Sequence, residues 1–247
     1  MIEIAKLNRL RPWQQEKHYI QSLILNSLSE LPLVFKGGTY LWFFHGLKRF
    51  SEDLDFTASE ELHDRIPEMV SRALALFGIM NEFKKIKDDK ISLSFRISAI
   101  GPLNTGLRDR CNVYVEISRR EQIVNKTIPL KFDKPEYQLP IRNILGMNLE
   151  EVGAEKVRAI MTREKARDIY DLYHLINNKK IKFDNKLINN KLEYYKTKFS
   201  NSKFIDKIIG RKKDYINELK SITFDDLPNY DLILATIKKW ISQYKNE

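Results

Sequence analysis

The hydrophobic period of this chain changes twice, and that change limits the folds open to it. Pro12 to about Leu28 reads as a helix, with proline at its first position and a stripe of Tyr19, Leu23, Ile24 and Leu28. Pro32 stops it, and Leu33-Val34-Phe35 reads as a short strand. Glu60 to Phe77 reads as a second long helix carrying Leu62, Ile66, Met69, Val70, Ala73 and Leu76, with Gly78 at its end. From about Ile79 to Leu130 the period becomes two, in ISLSFRIS, NVYVEIS and QIVNKTIPL, with GPLNTGLRDR as a loop between strands. After Pro140 the pattern is helical to the end. Asn148 to Glu151 resembles a capping box opening a helix to about Thr162, and further helices are expected near 165–176, 184–198, 201–221 and 229–245. The expectation is an α+β chain: a mixed or antiparallel sheet with flanking helices over 1–145, then a helical bundle over 146–247.

Composition narrows the partners. No apolar run approaches the roughly 20 residues of a membrane span, and the first residues carry no apolar signal core, so no membrane is expected and the cytoplasm is the default. Cys111 is the single cysteine, which excludes an internal disulfide and a cysteine-rich zinc site; its alternating apolar setting reads as core. His18, His63 and His174 show no metal-ligand spacing, and His45, Trp42, Phe43 and Phe44 read as packing groups. The formal net charge is +10, and residues 179–247 hold 16 Lys/Arg against 9 Asp/Glu. This suits a polyanion such as RNA. A solvated helical surface explains the same count.

The stretch KGGTYLWFFHGLKRFSEDLDF, Lys36 to Phe56, concentrates the unusual features. Gly37-Gly38 is a turn leading into a helix over about Thr39–Leu47. Such a turn aims backbone N–H groups and a positive dipole end at an anion, so phosphate is the natural guest. Thr39 is positioned to add a hydrogen bond. Asp53 and Asp55 fall on one side of a short apolar strand, where like charges repel unless a cation lies between them. Oxygen ligands at this spacing suit Mg²⁺. Glu116, in NVYVEIS, is the third candidate: an acid where a pure core strand would not place one, or else a polar residue on a solvated face. Three strand carboxylates behind a phosphate-binding turn would make a two-metal phosphoryl-transfer site.

A second block, EEVGAEKVRAIMTREKARDIYDLYHL, places Lys156 on one helix and Asp168 and Asp171 three apart on the next, on a shared side. A lysine there could meet a triphosphate as a point charge. Arg163, Arg167, Asp168 and Asp171 could equally form an interhelical salt network.

Together, KGGTYL, RFSEDLDF and the second block resemble the AbiEii/AbiGii toxin family of nucleotidyltransferase-fold proteins, found in type IV toxin–antitoxin systems. The resemblance covers about 36–175. It implies a polymerase-beta-like N-terminal domain and a helical domain contributing a lysine and an aspartate to the site. It implies that Lys36, Gly37, Gly38, Thr39, Arg49, Ser51 and Lys156 bind the nucleotide, and that Asp53, Asp55 and Glu116 hold two Mg²⁺. Lys156 and one aspartate would act in catalysis, Asp171 as the base or acceptor-orienting acid and Asp168 as its arginine-paired neighbour. The implied activity moves a nucleoside monophosphate from an NTP to an acceptor, an RNA end and tRNA especially, in a toxin countered by an antitoxin protein. A protein acceptor, phosphorylation instead of nucleotidylation, or an RNA- or partner-binding module without catalysis are the competing expectations.

Overall fold

In the computed structural model, which describes residues 1–106, 109–120 and 122–242, the chain divides into two compact units. One comprises Met1–Phe44, Phe50–Ile123 and Thr127–Gly146; the other comprises His45–Arg49, Val124–Lys126 and the residues from Met147 on.

The first unit is built on a seven-stranded mixed sheet. Its strands are β1 (Leu33–Lys36), β2 (Leu54–Ala58), β3 (Asn81–Asp88), β4 (Ser92–Ala99), β5 (Cys111–Ser118), β6 (Ile128–Phe132) and β7 (Arg142–Gly146). Their order is β3-β4-β5-β2-β1-β7-β6. β2 runs parallel to β5, and β1 parallel to β7; the other neighbours are antiparallel. The helices are α1 (Ile2–Leu7), α2 (Pro12–Leu28), α3 (Gly37–His45) and α4 (Ile66–Leu76). α2 packs on α4 and β5, and α4 on β3. Ile20, Leu23, Ile24, Val70 and Leu74 meet a sheet layer that includes Leu93, Phe95, Ile97, Val113, Val115 and Ile117, all nearly or wholly buried. The period-two pattern of β4 and β5 is thus the alternation between this core and the sheet's other face.

Several elements differ from the sequence expectation. Residues 60–65 are not helical, and α4 starts at Ile66 with Pro67 in its first turn. A helix running through Pro67 would lose a hydrogen bond and meet its ring. Leu76, counted in the apolar stripe, is 88% exposed. α3 begins at Gly37 itself, and Trp42, Phe43 and Phe44 are half-buried on it rather than core. In QIVNKTIPL only Ile128–Leu130 join a strand. β7 lies where a helical pattern was expected to begin. It is five residues long, and its strand character comes from pairing with β6 and β1.

The second unit contains α5 (Leu149–Thr162), α6 (Ala166–Lys179), α7 (Asn185–Glu193), α8 (Asn201–Gly210), α9 (Lys212–Leu219) and α10 (Tyr230–Ser242). Val157, Leu172, Leu192, Phe204, Ile208, Leu219, Ile233 and Ile237 form its core. The helix expected over 201–221 is interrupted after Gly210, and α7 is shorter than expected, with Lys196 beyond it in the left-handed region. Asn148 caps α5 by accepting from the Glu150 amide. Glu151 bonds elsewhere, so the capping box is not formed. No helix among the described residues is long and apolar enough to cross a membrane.

Candidate functional site

The sheet register assembles the first group of side chains. Asp55 on β2 stands opposite Glu116 on the parallel strand β5 and opposite Lys36 on β1, and Glu116 stands opposite Ser94 on β4. Facing residues of neighbouring strands project from one face, and strands lie about 4.8 Å apart, so Glu116, Asp55 and Lys36 form a row across the sheet. Asp53, two residues before Asp55, shares that face. Val115 and Ile117 point into the core, while Glu116 is exposed. Asp53 and Asp55 are half-buried and Lys36 is buried.

Gly37 lies directly against this row. Its φ is +80°, and an added Cβ would overlap Asp55 Oδ2 and come within 3.0 Å of the Asp55 Cβ and Cγ. Both conditions demand glycine. Thr39, in the first turn of α3, donates its hydroxyl to the Asp53 carbonyl oxygen, which ties the helix start to the first acid of the pair. The Ser51 carbonyl accepts from Gln21 Nε2 at 3.0 Å. The turn at Gly37 and Gly38, Thr39 and the two aspartates are therefore one connected local structure.

The second unit holds a buried charge cluster of its own. Arg49 donates from Nε to Asp171 Oδ1 at 2.6 Å and from Nη2 to Asp171 Oδ2 at 2.7 Å. Lys156 Nζ lies 2.6 Å from Asp171 Oδ2 and 2.9 Å from Asp168 Oδ1. Arg163 completes the pairing of Asp168, Nε to Oδ2 at 2.8 Å and Nη2 to Oδ1 at 2.9 Å. Both aspartates are fully buried. Burial pushes the Asp168 carboxyl up, but Lys156 and Arg163 outweigh it and hold it well below the usual carboxylate range. Burial likewise raises Asp171, and Arg49 and then Lys156 bring it below its ordinary value. The third cation of the cluster, beside Lys156 and Arg163, is Arg49, 119 positions before Asp168 in the sequence.

A family described as nucleotidyl transferase AbiEii toxin, of type IV toxin–antitoxin systems, matches residues 19–236. The chain belongs to this AbiEii family. It is thus a nucleotidyltransferase, placed among the toxins of type IV toxin–antitoxin systems. Among curated proteins, none matches it. Solved structures share its fold. JHP933 from Helicobacter pylori is 21% identical, with a TM-score of 0.65 over 96% of this chain and 97% of that one. MenT4, a nucleotidyltransferase toxin from Mycobacterium tuberculosis H37Rv, is 20% identical, with a TM-score of 0.65 over 93% of this chain and 84% of the other.

Among the described residues, no group of three or more His, Cys, Asp or Glu is gathered closely enough to hold a metal ion. Asp53, Asp55 and Glu116 share the donor chemistry, though not that close grouping, which a hard divalent cation takes. All three are carboxylates, they share a sheet face, and two are register partners.

Sequence reasoning missed a further buried pair in the AbiEii-family chain. Glu151, read as a helix cap, accepts from the amides of Val124 and Asn125 at 3.0 and 2.8 Å and pairs with Lys191 Nζ at 2.5 Å. Lys191, counted with the basic surface, is 3% exposed. The double acid at Glu150-Glu151 was the available signal, but no spacing links it to residue 124 or 191.

Proposed function

We propose that this protein transfers a nucleoside monophosphate from an NTP to an RNA end, tRNA being the first candidate, with Mg²⁺ as its metal. The observation that carries the reading is the row in which Asp55 faces Glu116 across β2 and β5 while Gly37 packs against the same Asp55 carboxylate. An anion cradle beside a carboxylate set is what phosphoryl transfer requires, since catalysis there is mostly positioning and charge neutralisation.

Asp53, Asp55 and Glu116 would hold the Mg²⁺, expected as two ions. Bound there, the metal would supply charge neutralisation and a more acidic acceptor hydroxyl. The Gly37–Thr39 turn and Lys36 offer backbone N–H groups and a positive charge to the triphosphate. Lys156 and Arg49 supply fixed cationic charge of the kind a triphosphate takes, and Ser51 lies in the block between the turn and the acids. Asp171 is gripped by Arg49 and Lys156, which hold its carboxyl below its ordinary pKa, and that fixed pairing supports the orienting role. Asp168 holds Lys156 and Arg163 in place. The excess of basic residues over 179–247 supports a nucleic-acid acceptor. Family membership supports an antitoxin as the cellular counterpart.

The test is labelling. The protein is incubated with total RNA, Mg²⁺ and NTPs labelled at the α- or the γ-phosphate, beside Asp55→Ala. The expected result is α-label on RNA with the wild type alone. Label transferred equally by both proteins, label from the γ-position, or label on protein only would overturn the reading.

A further inference from the structure

The sheet face that carries Glu116 continues past it, onto β4 and the edge strand β3. Lys87 stands opposite Ser94, and Ser94 opposite Glu116, so the row that starts at Lys36 and Asp55 runs on to the sheet edge. A shift of register between Lys85 and Lys87 puts Lys87, and not Ile86, at that place. One step along the strands, Lys84, Arg96 and Tyr114 make a second row. Residues two apart on a strand share a face. Arg96 and Tyr114 therefore lie on the carboxylate side of the sheet, opposite the core packed beneath α2 and α4.

This surface is open and basic. Tyr114, Lys84 and Lys87 are exposed. Arg96 is half-buried, and its Nε is buried without a hydrogen-bond partner among the described residues. No carboxylate among the described residues pairs with it. Arg110 and Arg119 differ: they pair with Glu82 at 2.6 Å and with Asp88 at 2.9 Å. Glu82 on β3 is thus neutralised already, and Lys87 meets Asp89 at 3.3 Å. A buried donor without a partner is costly. A phosphate satisfies the planar guanidinium fork with two parallel hydrogen bonds.

Its position suits one half of the reaction. In phosphoryl transfer the attacking and leaving oxygens are roughly in line, on opposite sides of the phosphorus. The Gly37 turn follows β1 and packs against Asp55, so the leaving pyrophosphate belongs at the β1 end of the row. The attacking hydroxyl then comes from the other end, over Glu116, and the chain that carries it lies over β4 and β3. Diagonal neighbours on paired strands are about 7–8 Å apart. Arg96, diagonal to Glu116, is therefore placed for the phosphates just behind that hydroxyl.

We propose that this face, with Arg96 at its centre and Lys84, Lys87 and Tyr114 around it, binds the phosphate backbone of the acceptor RNA beside the end that is extended. The acceptor role rests on the transfer reading given above; the contact between Arg96 and an RNA phosphate is measured without it. Phosphate contacts set position and carry no base information, so RNA of any sequence is expected to bind alike.

Binding is measured without turnover, by fluorescence anisotropy of two labelled single-stranded oligoribonucleotides of unrelated sequence over a salt series, and of a labelled NTP. Arg96→Met is expected to weaken both oligonucleotides about tenfold, as loss of one charge-assisted contact does. The fall of log affinity with log salt should become shallower by about 0.7, with NTP binding unchanged. Arg96→Lys keeps the charge and loses the fork, so the salt dependence should stay while part of the affinity goes. Arg72→Met, on the exposed side of α4 across the core from this face, removes the same charge and should change neither ligand. Circular dichroism confirms that each variant folds. No RNA binding by the wild type, a loss in Arg96→Met no greater than in Arg72→Met, a loss for one sequence alone, or a parallel loss of NTP binding would overturn the proposal. A wild type that binds RNA through Arg96 but labels none would overturn the transfer reading and with it the acceptor role, whereas RNA labelling with an unchanged KM for RNA in Arg96→Met would overturn the backbone contact alone.

Discussion

Arg49 and Asp171 meet as a two-pronged ion pair, at 2.6 and 2.7 Å, with Arg49 2% exposed and Asp171 fully buried. They are 122 positions apart in sequence. Arg49 belongs to the short segment His45–Arg49 that the helical unit takes from the middle of the N-terminal half. Its backbone also bridges to Thr223. The planar guanidinium fork matches a carboxylate in a way an ammonium cannot.

Breaking this pair from one side is expected to be costly. Asp171→Asn or Arg49→Met should each lower stability by up to about 3–5 kcal/mol, because each removes the two-pronged partner of a buried charge. The double variant R49M/D171L should be milder than the sum of R49M and D171L measured singly. Chemical denaturation of these variants checks it. A double variant as damaged as the sum would show that the two residues act independently.

The same cluster predicts how stability depends on pH. Asp168 and Asp171 both titrate below their ordinary range in the folded protein. The unfolded chain therefore binds more protons in mild acid. Their contribution is complete above the unfolded carboxylate pKa of about 3.9 and is lost as pH falls through the folded values. A plot of unfolding free energy from these two groups should be flat from neutral pH to about 5 and fall below it. In Asp168→Asn that acid-side slope should be shallower.

Gly37 and Gly46 separate crowding from backbone conformation. Both have positive φ, +80° and +71°, but a Cβ at Gly46 meets nothing within 4 Å while at Gly37 it overlaps Asp55. Gly46→Ala should cost about 1 kcal/mol, the usual penalty for a side chain in the left-handed region. Gly37→Ala should cost more and should also abolish RNA labelling, since Asp55 must move. Equal stability losses would show that crowding at Asp55 is relieved without consequence.

Glu116 is exposed, with its neighbours Val115 and Ile117 supplying the core contacts. Glu116→Gln should therefore leave stability within about 0.5 kcal/mol of the wild type while removing labelling activity. Full activity in a folded Glu116→Gln would take this residue out of the metal set.

Glu151→Gln should free the segment it holds. The side chain now accepts from the Val124 and Asn125 amides and pairs with buried Lys191. Hydrogen exchange at those two amides should speed up, with a loss of stability as Lys191 keeps only the more distant Glu155 carboxylate, 3.6 Å away, in place of Glu151. Unchanged protection would mean that other contacts hold the segment.

The sequence by itself determined what depends on near neighbours. Pro12 marked the start of α2, because proline suits a first helical position. Gly37, Thr39, Asp53 and Asp55 lie within 19 residues, and their strand-and-helix spacing alone put the acids on one face. The alternation in β4 and β5 was legible because one face of each strand is buried. Tertiary structure decided the rest. β7 is a strand because β1 and β6 flank it, not because its five residues prefer to be one. Glu116 stands beside Asp55 because β5 is the sheet neighbour of β2, a pairing that no local pattern encodes. Asp171 and Arg49 were each singled out in the sequence, but nothing in it shows that the two pair. Glu151 looked like a cap because a capping box differs from a long-range ion pair only in where the chain brings its partners. Local geometry is written in residues three or four apart, and buried charge is settled only by which distant residue arrives to neutralise it.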